Sequence, residues 1–206
     1  TKANYVMAGS GDLDEARRIL EQMPQTSDIG ASFNWVDLQF RERDYDGLIA
    51  RMDSIVSPAP YVHAGKQMII SFAKTLRDGP EQARPDLEAA KARVEAMLEA
   101  APGNAQVHGW MSGILAFLGE EEAAVEAAEL AIELSEKDQF SGLQAVENMA
   151  RINVAVGRND EAFDLLEQLF ASEYDGSITV ASLELDPAWD PIRQDPRYRE
   201  LIDKYQ

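Results

Sequence analysis

The two histidines, His63 and His108, are the side chains best suited to proton transfer or metal binding. Neither has a second histidine or a carboxylate at the H-E-x-x-H or H-x-x-E-H spacing that places zinc ligands on one helix face. The chain has no cysteine, which removes thiolate ligands, cysteine nucleophiles and disulfides together. The residues therefore predict no metal site and no cofactor.

Motifs for phosphate binding and covalent catalysis are also missing. The sequence contains no G-x-G-x-x-G, no G-x-x-x-x-G-K-[ST] and no G-x-S-x-G. Carboxylate pairs are frequent, but a general acid needs a carboxyl group whose pKa is raised by burial, and polar helix faces do not bury it. Trp35, Trp110 and Trp189 lie beside apolar stripes and are expected to pack in the core. We therefore predict a protein that is not an enzyme.

The charge balance restricts the class of partner. The chain carries 19 Lys and Arg against 37 Asp and Glu, a formal net charge of −18 at pH 7. Such a chain repels phosphate backbones and anionic lipid surfaces, so we expect a protein or peptide partner and no nucleic acid. No segment approaches the ~18 apolar residues that cross a bilayer. We therefore expect no direct membrane insertion and a cytoplasmic location.

Acidic residues are most concentrated over residues 94–136, which hold nine Glu and no Lys or Arg. Within this stretch, spacings of four and three residues place one set on a single helix face. This acidic stripe consists of Glu122, Glu126, Glu129 and Glu133, and Glu136 continues it. It is either a solvated outer face that aids solubility or a docking surface for a Lys/Arg-rich partner.

Apolar periodicity predicts helices in pairs. In the clearest pair, residues 104–138, one face of the first helix carries Val107, Met111, Ile114, Leu115 and Leu118, and Gly119 ends that helix. The second helix has small residues at Ala124, Ala128 and Ala131, which let two helices approach closely. Equivalent positions recur at Ala16, Leu48, Ala90, Ala124 and Ala162, in steps of 32, 42, 34 and 38 residues.

This pattern resembles the tetratricopeptide repeat (TPR) family, whose unit is a helix pair of about 34 residues. The step from Ala90 to Ala124, with Pro102 between them, matches that unit best. The resemblance covers about residues 3–170 and implies an all-α fold, an α-solenoid of about five antiparallel helix pairs in a right-handed superhelix. The 42-residue step predicts a longer connection near residues 78–87, where Pro80 and Pro85 argue against a continuous helix.

Residues 172–206 depart from the repeats of residues 1–171 and are predicted to form a short, Pro-rich helical cap. Asp186, Asp190 and Asp195 each precede a proline, and Asp as N-cap with Pro at the first helical position favours a helix start. Trp189 is expected to help cover the last apolar face of the solenoid. This ending resembles those of bacterial TPR regions attached to signalling or regulatory proteins.

The resemblance implies a non-catalytic interaction scaffold that binds a protein or peptide in a concave groove or on an acidic face. The first helices of stacked pairs line such a groove. The candidates there are Asp37, Arg41, Gln144, Glu147 and Arg151, and the candidates on the acidic face are Glu122, Glu126, Glu129 and Glu133. Gly109 and Gly113 either leave room for an incoming side chain beside Trp110 or allow tight packing of neighbouring first helices.

Three other interpretations stay open. The chain begins at Thr1 rather than Met, which suggests a fragment or processed product. In the first interpretation, the chain is the regulatory TPR region of a larger bacterial protein that has a kinase, nucleotide cyclase or transcriptional regulator upstream. An enzyme built on a helical solenoid would need a closed polar cavity, which the sequence does not indicate. Self-association through the terminal repeats would make the chain a homo-oligomer.

Overall fold

Helices joined by short turns make up the structure, a computed structural model that describes residues 1–23, 29–135, 139–172 and 178–206. The helices are α1 (Lys2–Gly9), α2 (Leu13–Glu21), α3 (Ile29–Arg41), α4 (Tyr45–Ser54), α5 (Pro60–Asp78), α6 (Pro80–Ala100), α7 (Ala105–Leu118), α8 (Glu121–Ser135), α9 (Gln139–Ala155), α10 (Asn159–Ala171), α11 (Val180–Leu185), the 3-10 helix Pro187–Ile192, and α12 (Pro196–Tyr205). None of these helices is both long enough and apolar enough to span a membrane.

The helices stack in consecutive pairs, from α1 with α2 to α9 with α10. From α2 to α9, each helix packs on the helix before it and the helix after it. The first helices of neighbouring pairs also contact each other, as seen for α5 with α7 and for α7 with α9. The predicted all-α solenoid of antiparallel helix pairs is therefore confirmed.

In four pairs, the turn between the two helices contains a residue with positive φ. Gly11, Gly119 and Gly157 have φ of 70°, 79° and 78°, and Arg43 takes the same left-handed conformation with φ 57°. A side chain is disfavoured in this region because its Cβ crowds the backbone carbonyl, so Gly suits the end of a helix. At Gly119, the next N–H, of Glu120, donates to the Leu115 carbonyl at 2.9 Å and closes the helix end.

Replacing Gly119 with alanine is expected to lower the free energy of unfolding by about 1 kcal/mol, because alanine must then adopt a positive φ. For a chain of this size, this corresponds to a fall in Tm of roughly 2–4 °C in a thermal unfolding experiment. The matched control is Gly103→Ala, since Gly103 has no positive φ and open space where its Cβ would lie. Equal effects of the two substitutions would contradict the strain argument.

The longer connection predicted near residues 78–87 is wrong. Gly79 alone, with φ 93°, separates α5 from α6, and Pro85 lies inside α6. Pro80 occupies the first turn, where a missing N–H costs nothing. Pro85 faces solvent, as does Glu81, the residue whose carbonyl would have paired with the missing N–H, so water can bind that carbonyl. The long step is instead absorbed by the helices themselves, 19 residues in α5 and 21 in α6.

The small residues of α8 serve close packing, as predicted. Ala124 and Ala128 are completely buried, and Ala131 is 2% exposed. Gly113 of α7 also serves packing, because a Cβ there would lie 2.7 Å from Cζ of Phe72 on α5. The space at Gly113 is thus filled by a neighbouring first helix and is not open to an incoming ligand.

Two of the three Asp-Pro pairs begin helices. The Asp186 side chain accepts from Ala188 N at 2.9 Å at the start of the 3-10 helix, and Asp195 accepts from Arg197 N at 3.0 Å at the start of α12. The third helix start is wrong, since Asp190 and Pro191 lie within the 3-10 helix. Trp189 and Ile192 are fully buried in one cluster with α9 and α10 side chains, as expected for residues that cover an apolar face.

Candidate interaction groove

The C-terminal segment, residues 178–206, joins the two ends of the solenoid. Thr179 Oγ1 donates to the Ala8 carbonyl of α1 at 2.6 Å, and Leu185 of α11 packs against Gly11. Further along, Arg43 donates to both carboxylate oxygens of Asp190, at 2.8 and 2.9 Å. The sequence predicts a concave groove lined by the first helices, and in the structure the chain's own C-terminal segment covers one part of it.

Glu147 and Arg151 of α9 are held by this segment. Arg151 Nη1 lies 2.6 Å from Asp186 Oδ2, and Nη2 lies 2.7 Å from Glu147 Oε1. The same guanidinium lies 5.0 Å from the centre of the Trp189 ring. Burial by itself would raise the pKa of Asp186, but Arg151, the Ala188 N–H and Arg41 outweigh burial and hold that pKa below its usual value. Arg151, Glu147 and Asp186 therefore form a cluster of paired charges on the concave side.

The remaining groove candidates occupy two places. Asp37 and Arg41 of α3 pair with each other at 3.0 Å, and the Arg41 side chain is only 9% exposed. Its Nη1 atom is buried and has no hydrogen-bond partner among the residues described. Gln144 of α9 lines a separate recess beside α7. The structure therefore brings Arg41 near the Arg151–Asp186 pair and leaves Gln144 at an open surface.

The acidic stripe lies on α8, apart from the groove candidates on α3 and α9. Glu122, Glu126, Glu129 and Glu133 are all exposed, and Glu136 falls outside the described residues. Within the described ranges, none of these four has a cation at ion-pair distance. No cluster of three or more metal-ligating side chains occurs in the part of the chain that the structure describes.

An open aromatic groove lies between α3, α5 and α7. Its rings are Phe33, Tyr61 and Trp110, and Val62, Met68 and Ile69 complete its apolar lining. We call this set of six residues the aromatic groove; it encloses about 340 Å³. Phe33 and Tyr61 are 42% and 41% exposed, which is unusual for large apolar side chains in this chain.

Packing fixes the two central rings. The Tyr61 and Trp110 ring centres are 4.7 Å apart, with their planes tilted by 44°. The Tyr61 hydroxyl donates to Gln106 Oε1, and burial raises the pKa of Tyr61, so the phenol stays neutral at physiological pH. Trp110 packs over Gly65, where a Cβ would lie 3.4 Å from Cη2 of the indole. The pair is a rigid, partly exposed aromatic platform.

A polar recess adjoins the aromatic groove. It encloses about 300 Å³ and shares Trp110 with the groove. Gln106 borders both spaces, and Gln144 and Asn148 of α9 also line the recess. The Asn148 amide donates to Ser112 Oγ at 3.0 Å, which ties α9 to α7 beneath the recess. Apolar and hydrogen-bonding surfaces are therefore adjacent on the open part of the concave side.

Comparison with solved structures agrees with this architecture. The thermophilic TPR protein TTC0263 from Thermus thermophilus superposes with a TM-score of 0.57 at 19% sequence identity, over 99% of this chain and 95% of that one. The fold is therefore TPR-like. A putative kinesin light chain with nearly identical TPR-like repeats, from Podospora anserina, aligns over 98% of this chain and 94% of its own with 19% identity and a TM-score of 0.41. No protein-family model and no curated protein matches the sequence.

The TPR-like fold explains why the groove residues meet. Phe33, Tyr61 and Trp110 each lie on the first helix of a pair, and these helices line the concave side of a solenoid. Sequence reasoning placed Trp110 in the core and did not select Phe33 or Tyr61. A local signal was present, because Tyr61 follows Pro60 in the first turn of α5. The contact with Trp110 spans 49 residues and depends on the stacking of α5 on α7.

Proposed function

We propose that this chain is a protein-interaction scaffold that binds a peptide segment of another protein in the aromatic groove. The observation that carries the proposal is the partly exposed Tyr61–Trp110 pair, held in fixed geometry above an apolar floor. Rigid aromatic side chains supply most of the binding energy in many interfaces, because they bury large areas at a small entropic cost. The site is formed by helices of three successive pairs, so its surface can contact several residues of a peptide segment.

The ion pairs beside the C-terminal segment also favour the aromatic groove as the binding site. Arg41, Glu147 and Arg151, which the sequence places in the groove, already form ion pairs with the chain's own carboxylates or guanidinium groups. Engaging a partner through them would require breaking those pairs. The aromatic groove needs no such rearrangement, since its rings are accessible in the folded chain. Gln144, in the adjoining recess, is the sequence-selected residue best placed to contact the same partner.

Trp110→Ala is expected to weaken peptide binding by roughly 30-fold, the loss that corresponds to about 2 kcal/mol at an interface hot spot. A display library of random peptides, each about 12 residues long, would be selected for binding to the wild-type chain. The selected peptides would then be synthesised with a fluorescent label. Their affinities for each variant would then be measured by fluorescence anisotropy. Tyr61→Ala is a second groove variant, and circular dichroism would check that both variants stay folded.

The matched control is Tyr5→Ala, which removes an aromatic ring that is 82% exposed on α1, outside the groove. We expect this variant to bind the selected peptides as the wild type does. Selected peptides that bind the Tyr61→Ala and Trp110→Ala variants with unchanged affinity would overturn the proposal. A library that yields no binding peptide would count against it as well.

A further inference from the structure

The tryptophan side chains of this protein differ in their relation to cations. Trp35 has the Arg51 guanidinium 4.5 Å from its ring centre and that of Arg17 at 5.8 Å. Trp189 has Arg151 at 5.0 Å. A guanidinium over an aromatic face is stabilised by the negative potential of the ring. Two of the three tryptophans therefore already have a cationic neighbour from within the chain.

Trp110 is the exception. Among the described residues, no Lys or Arg lies over its ring or over that of Tyr61. The sequence around it offers none, because residues 94–136 contain no Lys or Arg. Both rings are partly exposed to solvent. The aromatic groove thus presents two partly exposed rings of the kind that contact cations elsewhere in this protein.

The charges of the chain also favour a cationic side chain as the occupant of the aromatic groove. The formal net charge is −18, which attracts a basic partner over long range. An acidic segment would need a free cation to hold it. The sequence selects two guanidinium groups on the concave side, those of Arg41 and Arg151. Arg41 already pairs with Asp37, and Arg151 already pairs with Glu147 and Asp186. The net charge of the chain therefore favours a basic peptide over an acidic one.

We infer that the aromatic groove binds an Arg or Lys side chain of a basic partner segment, an inference that rests on the proposed function. The charged group lies against the Tyr61 and Trp110 rings, and its aliphatic stem packs on Met68 and Ile69 of the groove. Gln106 Oε1, which accepts from the Tyr61 hydroxyl, has a second lone pair for a guanidinium N–H.

The test uses the peptides selected from the unbiased library. We expect them to carry net positive charge. Replacing their anchoring Arg or Lys with norleucine, which keeps the stem and removes the charge, should weaken binding to the wild type by about 5-fold, the effect of about 1 kcal/mol of cation–π attraction. In Trp110→Leu the same replacement should have almost no effect, because the ring face is gone.

The outcomes separate this inference from the proposed function. Peptides that depend on Tyr61 and Trp110 but bind equally well with norleucine would overturn the cationic anchor and leave the peptide-binding groove in place. If norleucine weakens binding equally in the wild type and in Trp110→Leu, the preference for a positive charge comes from the net charge of the chain and not from the Trp110 ring. This result would also overturn the cationic anchor. Peptides whose affinity is unchanged in Tyr61→Ala and Trp110→Leu would overturn both.

Discussion

Trp189→Ala is expected to lower the free energy of unfolding by about 3–5 kcal/mol, the usual cost of removing a fully buried tryptophan. Trp189 has no exposed surface and packs with Leu183, Ile192 and Leu201 between α9, α10 and the C-terminal segment. The substitution also removes the ring beneath the Arg151 guanidinium. For a chain of this size, Tm should fall by roughly 10 °C, measurable by differential scanning calorimetry.

Trp189→Phe is the matched control. Trp189 Nε1 is buried and has no hydrogen-bond partner among the described residues, so phenylalanine loses no hydrogen bond and keeps most of the ring volume. We expect it to cost less than half as much as alanine, because the remaining cavity is smaller. An unchanged melting curve for Trp189→Ala would show that Trp189 is not the buried centre of the cover.

Arg151→Met is expected to cost about 2–4 kcal/mol, because it leaves two buried carboxylates without their cation. The side chains of Glu147 and Asp186 are each only 16% exposed, and both face the Arg151 guanidinium. Methionine keeps the stem that packs near Trp189, so the loss reports mainly on charge. Urea denaturation at pH 7 measures it, and Arg151→Met combined with Asp186→Asn should recover part of the loss.

The pH dependence of this stability difference tests whether Asp186 contributes to it. The pKa of Asp186 is held below its ordinary value in the folded chain. Its contribution to stability is therefore fully present above about pH 4, the unfolded value, and is lost as the pH falls through the lower folded pKa. Removing Arg151 takes away both its charge and its hydrogen bond, two of the contributions that lower the pKa of Asp186, so the carboxyl is protonated at a higher pH than in the wild type and the penalty of its charge then disappears.

We therefore expect the stability difference between wild type and Arg151→Met to shrink as the pH is lowered from about 7 to about 3. Carboxylates that do not contact Arg151 have the same surroundings in both proteins and largely cancel in the comparison. Arg77→Met is a useful control, because its partners Asp46 and Asp78 are more exposed and its ion pairs are worth little in solution. A difference that stays constant over this pH range would exclude Asp186 as the group that needs Arg151.

Much of the fold follows from local sequence. The apolar periodicity of residues 104–118 predicts a helix with one buried face, and Val107, Ile114 and Leu118 are buried in the structure. Gly119 ends that helix because its backbone accepts a positive φ. Pro85 shows the limit of such local rules, since a proline on the exposed side of α6 is compatible with a continuous helix when solvent can satisfy the freed carbonyl.

The proposed interaction site depends on contacts that no local sequence pattern contains. Helix pairs, glycine turns and two Asp-Pro helix starts were determined by the sequence alone, because each depends on the conformational preferences of a few adjacent residues. Tertiary structure decided two other contacts: the packing of Tyr61 on Trp110 and the ion pair between Arg151 and Asp186. Their partners are far apart in the chain, and small rotations accumulated over successive helix pairs determine which side chains meet across the concave side.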